Sequence, residues 1–321
     1  MSKPYVYVTR LLPEHIIEPY SDELEIQMWP YEEQPVSIEK LEEESHRADG
    51  LLTMLTDKVD QGLVEKSKHL KIVANMAVGY DNIDVDAATK FDITVTNTPD
   101  VLTDTTADLT FGLLMATARR MVEANQYIKD GKWGPWSPLL LAGTDIHHKT
   151  IGIYGMGRIG EAVARRARGF DMKVLYHNRS RKTEAEEKLG AVYVEFNELL
   201  EQSDFVVCMA PLTDETHHIF DAEAFRNMKK EAVFINASRG ATMNEDDLYH
   251  ALEQKDIAGA GLDVFEQEPI GKDHPLLQLD QVVCLPHIGS ATVETRHKMM
   301  KLCLDNLVRY FRGDSPLTKV N

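Results

Sequence analysis

The sequence predicts an α/β protein with parallel sheets, and three observations support this prediction. Short apolar or β-branched runs alternate with helical patterns along nearly the whole chain, as in parallel sheets with helices on both faces. A glycine turn, Gly155-Met156-Gly157-Arg158-Ile159-Gly160, separates one of these runs from a helical pattern. The chain has 321 residues, enough for two domains that each bury a core.

The first hundred residues alternate between predicted strands and predicted helices. The predicted strands are 5–8, 24–28, 51–55, 72–74 and 93–96, and the predicted helices are 13–20, 38–48 and 64–70. Pro99 ends this pattern, because a proline disfavours helical geometry at the residue before it, Thr98. We therefore expect the first domain to end near Pro99.

A single long helix is predicted after this boundary, from Thr105 to Ile128. Its residues, among them Phe111 and Leu114, are apolar nearly all round, which is typical of a helix buried inside a protein or between subunits. A loop rich in tryptophan and proline follows, between Gly131 and Gly143.

The glycine turn lies in the context that gives such a pattern its meaning. A predicted strand at 149–154 precedes it, a helix opens at Ile159, and a second strand is predicted at 173–176. Gly155 allows the tight turn, Gly157 lets the backbone approach a pyrophosphate, and Gly160 lets the helix pack on the strand. The start of the helix offers N–H groups and a positive dipole end to phosphates. The sequence therefore predicts a Rossmann-type doubly wound sheet that binds a dinucleotide.

The residues after the second strand favour NADP(H) over NAD(H). An acidic residue at this point would bind the ribose 2′-hydroxyl of NAD. The chain has Asn178, Arg179, Ser180 and Arg181 instead, with no carboxylate before Glu184. Guanidinium groups and a hydroxyl suit a 2′-phosphate, so NADP(H) is the expected cofactor and NAD(H) is possible. An ordinary solvated basic turn is the alternative.

The α/β alternation continues beyond Arg181. The predicted strands are 191–194, 205–209, 232–236, 257–262 and 282–285, and the predicted helices are 220–228, 245–254 and 292–311. The last helix closes the chain, and we expect it to return to the first domain.

Composition argues against several function classes. The net charge of −17 disfavours nucleic acid and anionic membranes as partners. No stretch is apolar and long enough to span a bilayer, and the N-terminus lacks a signal-peptide run. Cys208, Cys284 and Cys303 are isolated, as in a reduced protein. We therefore expect a cytoplasmic enzyme.

Two histidine pairs, His147-His148 and His217-His218, raise the question of a metal site. Adjacent side chains point to opposite sides of an extended chain, so we do not expect either pair to bind a metal. No metal is assigned.

Three polar residues follow predicted strands at the sheet edge where the glycine turn lies. Arg239, Glu268 and His287 come after the strands 232–236, 257–262 and 282–285, and ligands of open α/β sheets bind at this edge. Singly, each has an ordinary structural alternative: a strand cap, a solvated turn residue or a buried histidine.

Together, the three residue types suit the reduction of a ketone. Hydride transfer to the ketone carbon leaves an alkoxide, and a histidine can protonate it. A neighbouring carboxylate favours the imidazolium and fixes the ring. An arginine holds a substrate carboxylate and polarises the carbonyl group.

Several stretches of the sequence resemble the D-isomer-specific 2-hydroxyacid dehydrogenases, most closely bacterial glyoxylate/hydroxypyruvate reductases that also reduce 2-ketogluconate. The similarity covers nearly all 321 residues. Besides the glycine turn, the strings that carry it are 75–84, 147–150, 236–240, 261–269 and 286–292.

The resemblance implies the architecture and the site residues. A Rossmann-type cofactor domain, 100–288, would be inserted in a smaller flavodoxin-like α/β substrate domain, 1–99 and 289–321. Arg239, Glu268 and His287 would be catalytic. The backbone N–H groups of Val78 and Gly79, with Arg239 and His287, would bind substrate. Further cofactor contacts would come from Thr106, Met156, Arg158, Ile159, Pro211, Thr216, Ala237, Ser238, Asp263 and Gly289.

The resemblance also implies a homodimer. Trp136 matches a tryptophan that reaches the partner subunit's active site in a related reductase, and a packed loop aromatic is the equal alternative.

We therefore expect NADPH-dependent reduction of small 2-keto acids: glyoxylate to glycolate, hydroxypyruvate to D-glycerate, or 2-ketogluconate to gluconate. One alternative is a dinucleotide-sensing corepressor-like scaffold of the same fold. Such scaffolds carry long tails, which we do not expect in a chain that ends at Asn321. The other is an NAD-dependent 3-phosphoglycerate dehydrogenase, which needs cationic groups for its phosphate.

Overall fold

The chain divides into two compact units. The computed structural model describes residues 3–321. Unit 1 comprises the residues up to Leu102 together with Ala291–Asn321, and unit 2 is Thr103–Ser290. The sequence predicts boundaries after residues 99 and 288, close to these positions.

Unit 1 is built on a five-stranded parallel sheet. Its strands are β1 (Tyr5–Val8), β2 (Glu25–Met28), β3 (Gly50–Thr53), β4 (Ile72–Asn75) and β5 (Thr94–Thr96). They lie in the order β2-β1-β3-β4-β5, and every pair is parallel. This is the strand order of the flavodoxin-like doubly wound fold.

Unit 2 is built on a seven-stranded parallel sheet. Its strands are β6 (Thr150–Tyr154), β7 (Lys173–His177), β8 (Val192–Tyr193), β9 (Phe205–Cys208), β10 (Val233–Asn236), β11 (Gly259–Leu262) and β12 (Val282–Cys284). Their order is β12-β11-β10-β9-β6-β7-β8, and every pair is parallel. The order reverses between β6 and β9, which is the switch point where doubly wound sheets bind dinucleotides. The Rossmann-type prediction is confirmed.

Twelve α-helices lie among the described residues. They are α1 (Glu14–Ile17), α2 (Ile38–Ser45), α3 (Gln61–Lys66), α4 (Val85–Lys90), α5 (Thr103–Ala118), α6 (Met121–Lys129), α7 (Arg158–Arg168), α8 (Thr183–Leu189), α9 (Phe196–Gln202), α10 (Ala222–Asn227), α11 (Glu245–Glu253) and α12 (Val293–Arg312). Ser37, Asp60 and Asp84 cap α2, α3 and α4, because each side chain accepts a backbone hydrogen bond from the first turn. No helix within residues 3–321 is both long and apolar enough to cross a membrane.

The prediction of one helix from Thr105 to Ile128 is wrong, because the chain breaks between α5 and α6. Arg120 has a φ of 50°, which a right-handed helix cannot accommodate. Gly143 packs directly on the end of α5: a Cβ there would lie 2.2 Å from the carbonyl oxygen of Ala118. The N–H of Thr144 then donates to that same carbonyl at 2.8 Å. The loop that follows α6 therefore occupies the position that the next turn of α5 would take.

The two helices also differ in burial. α5 buries an apolar face, including Phe111 and Leu114, in the core of unit 2. α6 buries no residue, and its apolar side chains Met121, Val122 and Ile128 are exposed. The second half of the predicted helix is therefore not buried within one subunit, and its burial between subunits stays a prediction. Three short helices, α4, α8 and α9, were not predicted.

Candidate active site

The glycine turn connects β6 to α7. Gly155 has a φ of 103°, and a Cβ there would lie 2.5 Å from the backbone nitrogen of Ala210. A Cβ on Gly160 would lie 2.3 Å from the carbonyl oxygen of Gly155. At Gly157, the N-cap of α7, a Cβ would meet no atom within 4 Å. The space before the helix is therefore open, and the N–H groups of its first turn suit a pyrophosphate.

Asn178 holds the glycine turn from the end of β7. Its Oδ1 accepts a hydrogen bond from the Met156 N–H at 2.7 Å. Asn178 occupies the position at which NAD enzymes carry an acid. Its contact with Met156 is not predicted by the sequence. The side-chain oxygen is thus engaged with the protein backbone.

The basic residues beyond Asn178 are exposed but not equivalent. Arg181 donates two hydrogen bonds to Glu186 of α8, at 3.0 and 2.6 Å. Arg179 and Ser180 are exposed beside it. The Thr213 hydroxyl lowers the pKa of Glu215, and the charge of Arg179 acts in the same direction. Arg179 thus lies near the loop after β9, whereas Arg181 is held by its own carboxylate partner.

The loop after β9 contains two of the expected cofactor positions, Pro211 and Thr216. The Thr216 hydroxyl donates to the Pro211 carbonyl at 2.7 Å, and it accepts from the Thr213 N–H at 2.8 Å. Pro211 directly follows Ala210, against which Gly155 packs. The structure therefore brings Pro211 and Thr216 to the side of the glycine turn.

Another group of expected cofactor positions meets around Asp263. A Cβ on Gly289 would lie 3.2 Å from Asp263 Oδ2 and 3.4 Å from Thr106 Cγ2. Asp263 is only 1% exposed, and its Oδ1 accepts from the Ile288 N–H at 2.8 Å. Its Oδ2 is buried beside the backbone of Gly289, and no hydrogen bond of good geometry reaches it within residues 3–321. This acceptor suits an amide donor such as the carboxamide of a nicotinamide.

Burial raises the pKa of the Asp263 carboxyl. The Ile288 N–H, the charge of His287 and the Gly289 N–H lower this pKa without cancelling the effect of burial. The remaining expected positions, Ala237 and Ser238, follow β10. Ala237 is buried, and the Ser238 hydroxyl lies 3.3 Å from Cys208 Sγ.

Glu268 and His287 form a close pair. The Nδ1 atom of His287 lies 2.7 Å from Glu268 Oε2, and both side chains are 24% exposed. Glu268 Oε1 accepts from the Phe265 N–H at 3.0 Å. Burial raises the pKa of Glu268, but the hydrogen bond and charge of His287, the Phe265 N–H and the charge of Arg239 together lower it below the usual value. The carboxylate is therefore ionised at neutral pH, and Nδ1 carries the hydrogen toward it.

Arg239 lies in the turn after β10. Its carbonyl accepts from the Asn236 side-chain amide at 3.0 Å and from the Thr242 hydroxyl at 2.7 Å. Its Nη1 donates to the Ser238 carbonyl at 2.9 Å. The charge of Arg239 also lowers the pKa of Glu268. Arg239 and His287 therefore both interact electrostatically with Glu268.

Val78 and Gly79 lie in unit 1, in the turn after β4. The Asn97 side-chain amide donates to the Val78 carbonyl at 2.8 Å, and the Asn75 amide donates to the Gly79 carbonyl at 3.1 Å. Sequence reasoning did not assign Asn75 or Asn97 this role. Both carbonyls are therefore fixed, and the backbone N–H groups remain the feature of this turn suited to a carboxylate.

The geometry predicted for the histidine pairs is wrong. His148 and His218 have φ values of 63° and 50°, so the chain is not extended at either pair. The ring centroids of His147 and His148 are 5.2 Å apart, and those of His217 and His218 are stacked at 4.0 Å. Within residues 3–321, no group of three or more histidine, cysteine or acidic side chains is arranged to hold a metal.

Residues 111–289 match the family described as D-isomer specific 2-hydroxyacid dehydrogenase, NAD binding domain. A glyoxylate reductase from Korarchaeum cryptofilum is 49% identical, covering 99% of this chain and 96% of that protein. The structure of a glyoxylate reductase from Paecilomyes thermophila has a TM-score of 0.88 at 34% identity, covering 100% of this chain and 99% of that one.

A further similar structure is an NADPH-dependent glyoxylate/hydroxypyruvate reductase from Sinorhizobium meliloti in complex with NADP and malonate. It is 35% identical, with a TM-score of 0.84, and covers 99% of this chain and 97% of that one.

Proposed function

From the premise that this chain belongs to the D-isomer-specific 2-hydroxyacid dehydrogenase family, we propose that it reduces glyoxylate to glycolate with NADPH. The family membership makes the chain an oxidoreductase that uses a nicotinamide dinucleotide. Reduction of hydroxypyruvate to D-glycerate and of 2-ketogluconate to gluconate belongs to the same proposal.

The His287–Glu268 pair is the observation that carries the proposal. The bound cofactor supplies the hydride that reaches the carbonyl carbon of the keto acid. His287 donates to Glu268 through Nδ1, so Nε2 is the nitrogen that protonates the alkoxide oxygen. Glu268 fixes the orientation of the ring, because its carboxylate accepts the Nδ1 hydrogen. The 2-keto acid, the reduced cofactor and one proton thus become the 2-hydroxy acid and the oxidised cofactor.

Arg239 and the turn at Val78 and Gly79 are proposed to bind the substrate. A guanidinium pairs with a carboxylate and polarises the adjacent carbonyl group, and backbone N–H groups bind a carboxylate oxygen. The fixed carbonyls of Val78 and Gly79 support this assignment.

The preference for NADPH is supported by the residues after β7. Asn178 supplies no charge to a ribose, and its Oδ1 accepts from Met156. Arg179 and Ser180 are exposed where a 2′-phosphate would be recognised. The Sinorhizobium meliloti relative is described as NADPH-dependent and has NADP bound.

A homodimer and a cytoplasmic location complete the proposal. The exposed apolar side chains of α6 and the exposed Trp133, Trp136 and Leu139 of the following loop suit a second subunit. The free cysteines, Cys208, Cys284 and Cys303, suit a reducing compartment.

A substrate panel tests the proposal. Initial rates would be measured for glyoxylate, hydroxypyruvate, 2-ketogluconate and 3-phosphohydroxypyruvate, each with NADPH and with NADH. We expect turnover of glyoxylate, with a higher kcat/KM for NADPH. Absence of turnover with every keto acid, or a clear preference for the phosphorylated substrate with NADH, would contradict the proposal.

A further inference from the structure

Two glutamates outside the catalytic trio hold each other's backbone. Glu245 is the first residue of α11, and Glu266 lies in the turn after β11. The Glu245 N–H donates to Glu266 Oε1 at 3.0 Å, and the Glu266 N–H donates to Glu245 Oε1 at 2.7 Å. This reciprocal pair, here called the glutamate clamp, joins the start of α11 to the turn that carries Glu268.

Each carboxylate of the glutamate clamp also faces an imidazole. His274 Nε2 lies 3.1 Å from Glu245 Oε2. His218 Nε2 lies 3.2 Å from Glu266 Oε1, outside hydrogen-bond geometry. The four side chains are between 15% and 33% exposed. The glutamate clamp is therefore partly shielded from solvent.

The glutamate clamp acts on the backbone immediately beside Glu268. The Phe265 N–H donates to Glu268 Oε1, and the next N–H along the chain, that of Glu266, donates to Glu245. Two consecutive N–H groups of one turn thus bind the proposed catalytic carboxylate and the glutamate clamp. A movement of Glu266 would move the donor that orients Glu268.

The turn that carries Arg239 packs against the same backbone. A Cβ on Gly240 would lie 1.9 Å from the carbonyl carbon of Phe265 and 2.4 Å from the Glu266 nitrogen. The turn that carries Glu268 is therefore held by Gly240 through close contact and by Glu245 through hydrogen bonds.

We propose that Glu245 and Glu266 are positioning residues that hold Glu268 in the orientation in which it fixes His287. The inference rests on the proposed function, because it assigns these glutamates a part in the proton transfer by His287. Neither glutamate contacts the reacting atoms in this account, and both act through Glu268.

The test compares Glu245→Ala with Glu245→Gln. The alanine variant removes the acceptor of the Glu266 N–H, whereas the glutamine variant keeps an acceptor oxygen. We expect Glu245→Ala to lower kcat for glyoxylate about ten-fold, since a 1 Å displacement of a catalytic group costs up to about 10²-fold. The KM for NADPH should stay unchanged. Glu245→Gln should restore most of the activity.

Glu253→Ala is the matched control, because Glu253 lies in the same helix, is 56% exposed, and contacts its helix neighbours His250, at 3.8 Å, and Tyr249, at 3.5 Å. It should behave like the wild type. Glu266→Ala and Glu266→Gln repeat the comparison from the other side. If an alanine variant does not fold, Glu245→Asp replaces it, because its side chain is one methylene shorter and should weaken the hydrogen bond from the Glu266 N–H.

A folded Glu245→Ala protein with wild-type kcat would overturn the inference, as would a glutamine variant as impaired as the alanine variant. Glu268→Gln, measured in parallel, separates this result from failure of the proposed function. A wild-type kcat in Glu268→Gln contradicts the proposed role of Glu268 itself. A lowered kcat in Glu268→Gln together with a wild-type kcat in Glu245→Ala contradicts only the positioning role.

Discussion

The Nδ1 atom of His287 lies 2.7 Å from Oε2 of Glu268, and the other oxygen of Glu268 accepts from the Phe265 N–H at 3.0 Å. Both carboxylate oxygens therefore have a partner, and the carboxylate has little freedom to rotate. The pair defines the tautomer of the imidazole, with the hydrogen on Nδ1 pointing to the carboxylate. The account of proton transfer rests on this relationship.

Glu268→Gln should lower kcat for glyoxylate about ten-fold, within the cost of up to about 10²-fold for a misplaced catalytic group. The amide has a single oxygen, so it cannot accept both the Nδ1 hydrogen of His287 and the Phe265 N–H as the carboxylate does. The KM for NADPH should stay unchanged. The measurement is the steady-state rate with glyoxylate and NADPH. A wild-type kcat would show that Glu268 has only a structural role.

Asp263→Asn should stabilise the cofactor-free protein above the pH range in which the carboxyl titrates. Burial raises the pKa of Asp263, so the folded state binds the proton more tightly than the unfolded state. Stability is therefore lost as the pH rises through that range, and an uncharged asparagine avoids the loss. Asparagine can still accept from the Ile288 N–H.

Thermal melting at pH 3.5 and pH 7 checks this sign. The Tm difference between Asp263→Asn and the wild type should be more positive at pH 7. Equal differences at both pH values would contradict the prediction. The same variant should bind NADPH more weakly if Asp263 Oδ2 is the acceptor for the nicotinamide carboxamide.

Strands that bury apolar side chains on both faces are the parts of the fold that the sequence shows most directly. β9 and β10 are buried at every residue, so each appears in the sequence as a continuous apolar run. α8 was not predicted because it buries only Ala185, and its other side chains form polar pairs such as Lys188–Glu184 rather than an apolar pattern. The break at Arg120 depends on the return of Gly143 to the end of α5, a contact that no local pattern contains.

The same reasoning applies to the site. Arg239, Glu268 and His287 were found because each follows a strand, and parallel strands end at one edge. The three residues come close only if the strands before them, β12, β11 and β10, are neighbours. The strand order of doubly wound sheets makes them neighbours. The glutamate clamp joins residues 21 positions apart in loop and helix, and no sequence motif marks it.

Removing Arg179 and Arg181 together should raise the KM for NADPH much more than the KM for NADH. Only NADPH has the 2′-phosphate, and a charge-assisted hydrogen bond contributes about 1.5–3 kcal/mol, roughly ten-fold or more in affinity. Of the two single variants, Arg179→Ala should raise the KM for NADPH more than Arg181→Ala, because Arg181 is paired with Glu186. Steady-state kinetics with both cofactors measures this.

Lys182→Ala is the matched control for general loss of positive charge and should change both KM values little. Asn178→Asp is the converse variant: a carboxylate can still accept from the Met156 N–H while it binds a ribose hydroxyl, so NADH should become the better cofactor. Equal losses for NADPH and NADH in the double arginine variant would contradict the assignment of NADPH.

Trp136→Ala should leave a homodimer intact and change the KM for the keto acid more than the KM for NADPH. Trp136 is 83% exposed, and α6 beside it presents further apolar side chains, which suits a two-fold interface. An obligate interface buries above about 2,000 Å², so sedimentation should show a dimer at micromolar concentration. Trp133→Ala in the same loop is the control and should leave both KM values unchanged. A fully active monomer would contradict this prediction.

The most direct test of the central claim is the kcat of His287→Gln for glyoxylate with NADPH, measured beside the affinity for NADPH by fluorescence titration. If His287 is the proton donor, kcat should fall by roughly 10²–10⁴-fold, the contribution of a placed general acid. The dissociation constant for NADPH should stay close to that of the wild type, because the imidazole is assigned to the substrate. A kcat within a few-fold of the wild type would contradict the account.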